Sequence, residues 1–329
     1  MSYDAVIFTD GNVRHWQMRP LGPQRIATEL RKHGYTVKIV DFFSKWIEDE
    51  QEFHRLIDLL VDETTLFLGF SGTFFNKIND VELFRNVKSF RDFYKTQELS
   101  VWPRNDEEIN NIFLKIRERH PKLKFVYGGD RFDNKLKYLE SMMDYIVQGY
   151  AENTVVELAN HLRNNTKLQY TLTGGRAKLI SHDMDAIGFD IINQSNTSYL
   201  EQDHITYGDS LSLETSRGCM FKCTFCAYPI LGRRKGDVCY HKSEDLLADE
   251  LRSNYEQHGA RKYIIVDNIF NETTSKLESV LRSRDKSKVD IGFAAFIRYE
   301  LLNRFPEQLP LLKELGIEAF NIGIESLHL

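Results

Sequence analysis

Three cysteines, Cys219, Cys223 and Cys226, stand in the run Ser216-Arg217-Gly218-Cys219-Met220-Phe221-Lys222-Cys223-Thr224-Phe225-Cys226, a CxxxCxxC spacing. Thiolates packed this closely can hold three irons of a 4Fe–4S cube. The fourth iron is then left without a protein ligand, and an open coordination site is a place for chemistry. Zinc is also held by closely spaced cysteines, but a structural zinc wants four ligands, commonly from two CxxC-like pairs. The next cysteine, Cys239, lies thirteen residues beyond the triplet. Cys239 or His241 completing a tetrahedron keeps zinc open as an alternative, although Cys239 reads better as a small buried residue.

The elements that must position this loop can be read on either side of it. Ser212–Thr215 is a strand running into the cysteines, and Ser243–His258 is an amphipathic helix with Ser243 as cap and Gly259 as stop. Lys262–Val266, Val289–Ile297 and Ile317–Ile324 are strands, separated by helices over Thr274–Leu281 and Pro310–Leu315. Four βα-type units in series predict part of a parallel barrel, in which chemistry sits at the carboxyl ends of the strands. A cysteine loop following the first strand fits that mouth, and this favours a cluster over zinc.

Upstream, strands at Ala5–Phe8, Thr36–Val40, Leu66–Phe70, Lys124–Tyr127 and Tyr145–Val147 alternate with helices. One helix ends near Gly34 and another covers Val155–His161. This alternation predicts a Rossmann-like parallel sheet with both faces covered. Gly128-Gly129 is expected directly after a strand, and residues 72–118 read as a mostly helical excursion. The fold class is therefore α/β: an N-terminal domain over 1–165, a polar linker over 166–206 with a hairpin turn at Thr171–Gly175, and a partial barrel over 207–329.

A chain of 329 residues, 42% apolar and 12% aromatic, suits two packed domains. The net charge of −5 gives no sign of wholesale nucleic-acid or membrane binding. The N-terminus enters a strand without a signal-peptide pattern, and no apolar run nears the roughly 20 residues of a membrane span. Clustered cysteines without a disulfide framework fit a reducing compartment, so a cytoplasmic protein is expected. Arg233-Arg234-Lys235 reads as a solvated charge run.

The cysteine loop resembles that of the radical S-adenosylmethionine (SAM) superfamily. The resemblance extends through Val266-Asp267-Asn268-Ile269-Phe270, Phe296-Ile297-Arg298 and Gly323-Ile324-Glu325-Ser326, covering residues 207–329. It implies that Cys219, Cys223 and Cys226 bind a 4Fe–4S cluster whose open iron takes the amino and carboxylate groups of SAM. The reduced cluster would cleave SAM to methionine and a 5′-deoxyadenosyl radical for C–H chemistry: methyl transfer, cyclisation or rearrangement. It further implies that Phe225 shields the cluster and packs on adenine, and that Asp267 and Asn268 hold the SAM amino group or ribose. Arg298 would pair with the SAM carboxylate, and Glu325 would face the same mouth.

The first domain resembles the cobalamin-binding domain that precedes this core in one branch of the superfamily. The matching pieces are Arg19-Pro20-Leu21-Gly22 with Leu30 to Asp41, Gly69-Phe70-Ser71, Gly128-Gly129, and Asp144 to Glu152. Cobalamin is therefore an expected cofactor, although Asp10-Gly11-Asn12-Val13-Arg14-His15 stands where some relatives carry a cobalt-ligating DxHxxG sequence. The resemblance implies a small-molecule substrate and an electron donor such as a flavodoxin or ferredoxin. The family's core has further βα units, so the chain is expected to be short after its fourth strand: either a truncated product or a split protein in which a second chain completes the barrel. A cobalamin-free oxidoreductase is the enzymatic alternative. An inactive or split fragment, with a structural iron–sulfur or zinc site, is the non-enzymatic one.

Overall fold

The computed structural model describes residues 2–9, 12–13, 16–17, 19–71, 106–129, 141–181, 192–221 and 240–322. The chain divides into two units, Met1–His182 and Asp183–Leu329.

In the first unit, β1 (Ala5–Phe8) is followed by a short antiparallel pair, β2 (Asn12–Val13) and β3 (Trp16–Gln17), then by α1 (Leu21–Lys32) and β4 (Val37–Val40). Next come α2 (Phe43–Trp46), α3 (Glu50–Leu60), β5 (Phe67–Ser71), α4 (Asp106–Arg119), β6 (Lys124–Gly129), β7 (Tyr145–Gln148) and α5 (Glu152–Asn164). A hairpin of β8 (Thr171–Leu172) and β9 (Lys178–Ser181) closes the unit. The sheet order is β4-β1-β5-β6-β7-β9-β8, parallel throughout except for β8. Chain order reverses at β1, between β4 and β5, which is where open α/β sheets take ligands beyond their carboxyl ends.

The strands read as continuous apolar runs because both faces are covered. Val6 and Phe8 point into one core with Phe53, Ile57 and Phe113, from α3 and α4. Ala5 and Ile7 point into the other with Ala27, Leu30, Val155 and Leu158, from α1 and α5. Gly34 ends α1 as expected, at φ +80°, a backbone region that L side chains rarely adopt. Two expectations are corrected. Gly128 and Gly129 do not follow a strand but are the last residues of β6. Residues 166–206 supply β8 and β9 to the first sheet, while Tyr199 enters the core of the second unit. That segment is tied by polar groups, such as Asn196 Nδ2 donating to the Leu246 carbonyl at 2.9 Å, so no apolar period announces it.

The second unit has a four-stranded parallel sheet in chain order: β10 (Leu211–Leu213), β13 (Lys262–Ile265), β14 (Gly292–Ile297) and β15 (Ile317–Ile322). Between β10 and β13 lie the short pair β11 (Ser216–Arg217) and β12 (Tyr240–His241), then α6 (Glu244–His258). α7 (Thr274–Ser287) follows β13, and α8 (Tyr299–Arg304) and α9 (Gln308–Leu315) follow β14. Parallel strands added one after another, each with its helices, build a barrel wall. One face is packed: Leu213, Ile265, Phe293, Ala295 and Ile297 bury against Leu247, Leu251, Leu277 and Leu312 of the helices. The alternate residues include Ile264 and Ala294, half-buried, and Phe296, 48% exposed. Ser243 precedes α6 as expected, but its side chain makes no cap; its N–H donates to Asn193 Oδ1 at 2.7 Å. Among the described residues no helix is long and apolar enough to cross a membrane.

Candidate metal centre

The cysteine loop leaves from the carboxyl end of β10. Ser216 and Arg217 pair antiparallel with His241 and Tyr240, so residues 218–239 are joined at a two-stranded base. The Lys242 N–H adds a bond to the Thr215 carbonyl at 2.9 Å. Gly218 turns the chain at φ +93° and presents Cys219, which is half-buried. Arg217 is 4% exposed and lies in a bidentate pair with Glu214 at 2.7 and 2.9 Å. Cys223, Phe225, Cys226, Cys239 and Glu325 lie outside the described residues. Among the described residues no group of three His, Cys, Asp or Glu side chains is arranged to hold a metal ion. The thiol donor set CxxxCxxC fits iron in its chemistry, and Cys219 sits at the edge of the sheet where barrel sites are built.

Asp267 follows β13 and is 2% exposed. Its Oδ1 accepts the N–H groups of Thr215 at 2.7 Å and Ser216 at 3.1 Å. Its Oδ2 accepts the Thr215 hydroxyl, the Ser216 hydroxyl at 3.0 Å and the Lys276 ammonium at 2.8 Å. A carboxylate offers about four lone-pair sites, so this one is saturated by its own chain. The expected role for Asp267, holding the amino group or ribose of a ligand, is therefore corrected: it fastens the strand end that leads into the cysteines. Asn268 points the same way, with Nδ2 donating to the Gly218 carbonyl at 3.1 Å.

Lys276, on α7, is 1% exposed. Besides Asp267, its ammonium donates to Ser216 Oγ at 2.6 Å and the Ile269 carbonyl at 3.0 Å, and it pairs with Glu272 at 3.2 Å. Burial by itself would lower the pKa of this ammonium, but Asp267 and Glu272 outweigh it and hold the pKa above the ordinary lysine value. Glu272 also meets His241 Nε2 at 2.9 Å, which engages the histidine considered as a zinc ligand.

Arg298 caps α8 just after β14. Its guanidinium lies 3.9 Å from the ring centroid of Phe221, inside the cysteine run, and holds Glu300 Oε2 from Nε at 3.0 Å and Nη2 at 2.6 Å. The fully buried Asn271 clamps the Arg298 backbone, accepting its N–H at 2.8 Å and donating to its carbonyl at 3.1 Å. β13 and β14 thus bring Asn268 and Arg298 to the loop. Lys276, Glu272 and Asn271 escape sequence reading because single polar residues in a helical or loop pattern look like surface.

At the carboxyl edge of the first sheet, Arg19 pairs with Asp41 at 2.7 Å. Among the described residues, two buried polar atoms there, Thr9 Oγ1 at the end of β1 and Gln24 Oε1 in the first turn of α1, find no hydrogen-bond partner. Buried polar atoms normally find one, so this edge suits a ligand with polar groups of its own.

Residues 213–328 match the model of the Radical SAM superfamily. A search of the curated proteins found no match. Among solved structures, the chain is similar to the radical S-adenosylmethionine methyltransferase TsrM from Kitasatospora setae with cobalamin and a [4Fe-4S] cluster bound. That match has a TM-score of 0.65 and 16% identity, and covers 99% of this chain and 59% of that one. TsrM with tryptophan substrate and the SAM analogue aza-SAM bound matches with a TM-score of 0.67 and 18% identity, covering 99% and 60%. The chain thus spans about three-fifths of the length of these structures. At such identity the likeness establishes the fold: a Rossmann-like domain followed by a barrel of the radical SAM type.

Proposed function

The protein carries a radical SAM domain over residues 213–328, and from that premise we propose that it binds a 4Fe–4S cluster and SAM there and a cobalamin on its first domain. Cys219, Cys223 and Cys226 are the cluster ligands. When bound, the cluster supplies the electron that cleaves SAM, opening unactivated C–H bonds to methyl transfer, cyclisation or rearrangement. Phe225 excludes water and packs on adenine. Arg298 takes the SAM carboxylate, exchanging it for Glu300, and Glu325 is assigned a binding role in the same site. Asn268 holds Gly218 while its own carbonyl oxygen stays available to a ligand amino or hydroxyl group. On the first domain, Thr9 and Gln24 meet polar groups of the cobalamin.

The observation that carries this reading is the setting of Cys219. It follows a tight, tied strand end at the carboxyl edge of a sequentially ordered parallel sheet, within a CxxxCxxC run. The TsrM structures, with cobalamin, cluster and SAM analogue bound, support the same assignment for a shared fold. A small-molecule substrate and a flavodoxin- or ferredoxin-type electron donor complete the proposal.

Oxygen-free reconstitution tests it. The expected product is a brown protein with about four irons per chain, which, given SAM, dithionite and hydroxocobalamin, releases 5′-deoxyadenosine and methionine or leaves S-adenosylhomocysteine after methyl transfer to the reduced cobalamin. A colourless zinc protein, or an iron protein inert towards SAM, overturns it.

A further inference from the structure

Both ends of the cysteine loop are fastened to one buried ion network, and Lys276 stands at its centre. On the incoming side, the amides and hydroxyls of Thr215 and Ser216 bind Asp267, and Asp267 binds Lys276 at 2.8 Å. On the outgoing side, His241 binds Glu272 at 2.9 Å, and Glu272 meets Lys276 at 3.2 Å. Lys276 also reaches Ser216 Oγ directly at 2.6 Å. Asp267, Glu272 and Lys276 are each at most 4% exposed. Without the ammonium, two buried carboxylates would lie near one another with no cation between them, and each holds a different side of the loop.

We propose that Lys276 is a positioning residue that presets the base of the cysteine loop in the metal-free protein, by joining β11 through Asp267 to β12 through Glu272. The proposal rests on the reading above for what the loop carries, but not for the latch itself. A preset base lowers the ordering cost of closing three thiolates around a cluster, because the chain on either side no longer has to be fixed at that step.

Hydrogen exchange on the full chain, freed of iron by a chelator, tests the latch without any activity. In wild type, peptides over 213–219 and 240–243 exchange slowly. In Lys276→Met both accelerate at least tenfold, while the β14 peptide over 292–297 is unchanged, and iron bound after reconstitution falls severalfold. Two milder variants carry the test if Lys276→Met does not fold. Glu272→Gln accelerates 240–243 more than 213–219, and Asp267→Asn does the reverse. Generic destabilisation would instead speed all three peptides alike. The proposal is overturned if Lys276→Met leaves the two loop-base peptides unchanged, if β14 accelerates as much as they do, or if the two milder variants give the same pattern. Wild-type protein that takes up no iron but shows the predicted exchange refutes the cluster reading and keeps the latch. Iron uptake without the exchange response does the opposite.

Discussion

Thr9 and Gln24 at the carboxyl edge of the first sheet and Asp267 at that of the second are buried polar groups handled in opposite ways. In the first unit, Thr9 Oγ1 and Gln24 Oε1 are buried and find no hydrogen-bond partner among the described residues. In the second, every oxygen of Asp267 is taken by Thr215, Ser216 or Lys276. An unmade bond is a standing cost that a ligand can remove, whereas a saturated network is a support that a ligand cannot enter. The first edge therefore suits direct contact with a cofactor. The second braces a loop that makes the contact for it.

Four substitutions test that contrast, and the largest effect is expected at the brace. Lys276→Met removes the cation between two buried carboxylates and should open the base of the cysteine loop locally by at least tenfold, about 1.4 kcal/mol or more, read from hydrogen exchange over 213–219 and 240–243. Gly218→Ala forces a Cβ into φ +93° beside Cys219; a loss of about 1–2 kcal/mol is expected, with lower iron content after reconstitution. Thr9→Val removes an unpartnered hydroxyl at nearly constant shape. The ligand-free protein should gain up to about 1 kcal/mol, while cobalamin retained on gel filtration declines. An equal loss of stability at Thr9 and Lys276 would erase the distinction between the edges. Phe221→Leu removes the ring under Arg298 and should cost about 0.5–1 kcal/mol.

The smallest effect lies at the opposite edge of the first sheet. Burial would raise the pKa of Asp4, but hydrogen bonds from Thr36 and the Arg163 guanidinium hold it below the ordinary aspartate value. A lowered carboxyl pKa contributes stability above the unfolded-state value and loses it as pH falls through the folded one. Asp4→Asn should therefore flatten the acid limb of the stability curve below about pH 4 and leave pH 7 to 9 unaffected in slope. An unchanged acid limb would show that the pairing is too exposed to matter.

What could be read from sequence followed from period and punctuation. β1, α1 and its Gly34 stop, and the order of strands around the cysteines, are all visible because apolar runs and glycines mark them. α2 and α3 went unread, although Phe53, Ile57 and Leu60 lie on one buried face. Their short apolar stripe is interrupted by charges, among them Asp49, which caps α3 by accepting from Gln51 and Glu52. At the candidate centre, the Cys219 setting and the approach of Arg298 were legible, because a strand end points only one way. The saturation of Asp267 was not, since it depends on Lys276, nine residues on, turning inward from a helix rich in charge. Hydrogen-bond capacity is a property of the assembled neighbourhood, and spacing alone does not encode it.

The enclosure of Lys276 has a practical corollary. An acylating reagent that marks exposed lysine amines within minutes cannot reach an ammonium this enclosed until the α7–β13 junction opens, so its modification rate times that opening. Following a single mass-tagged peptide would then give a native clock for loosening of the second domain, with no probe introduced.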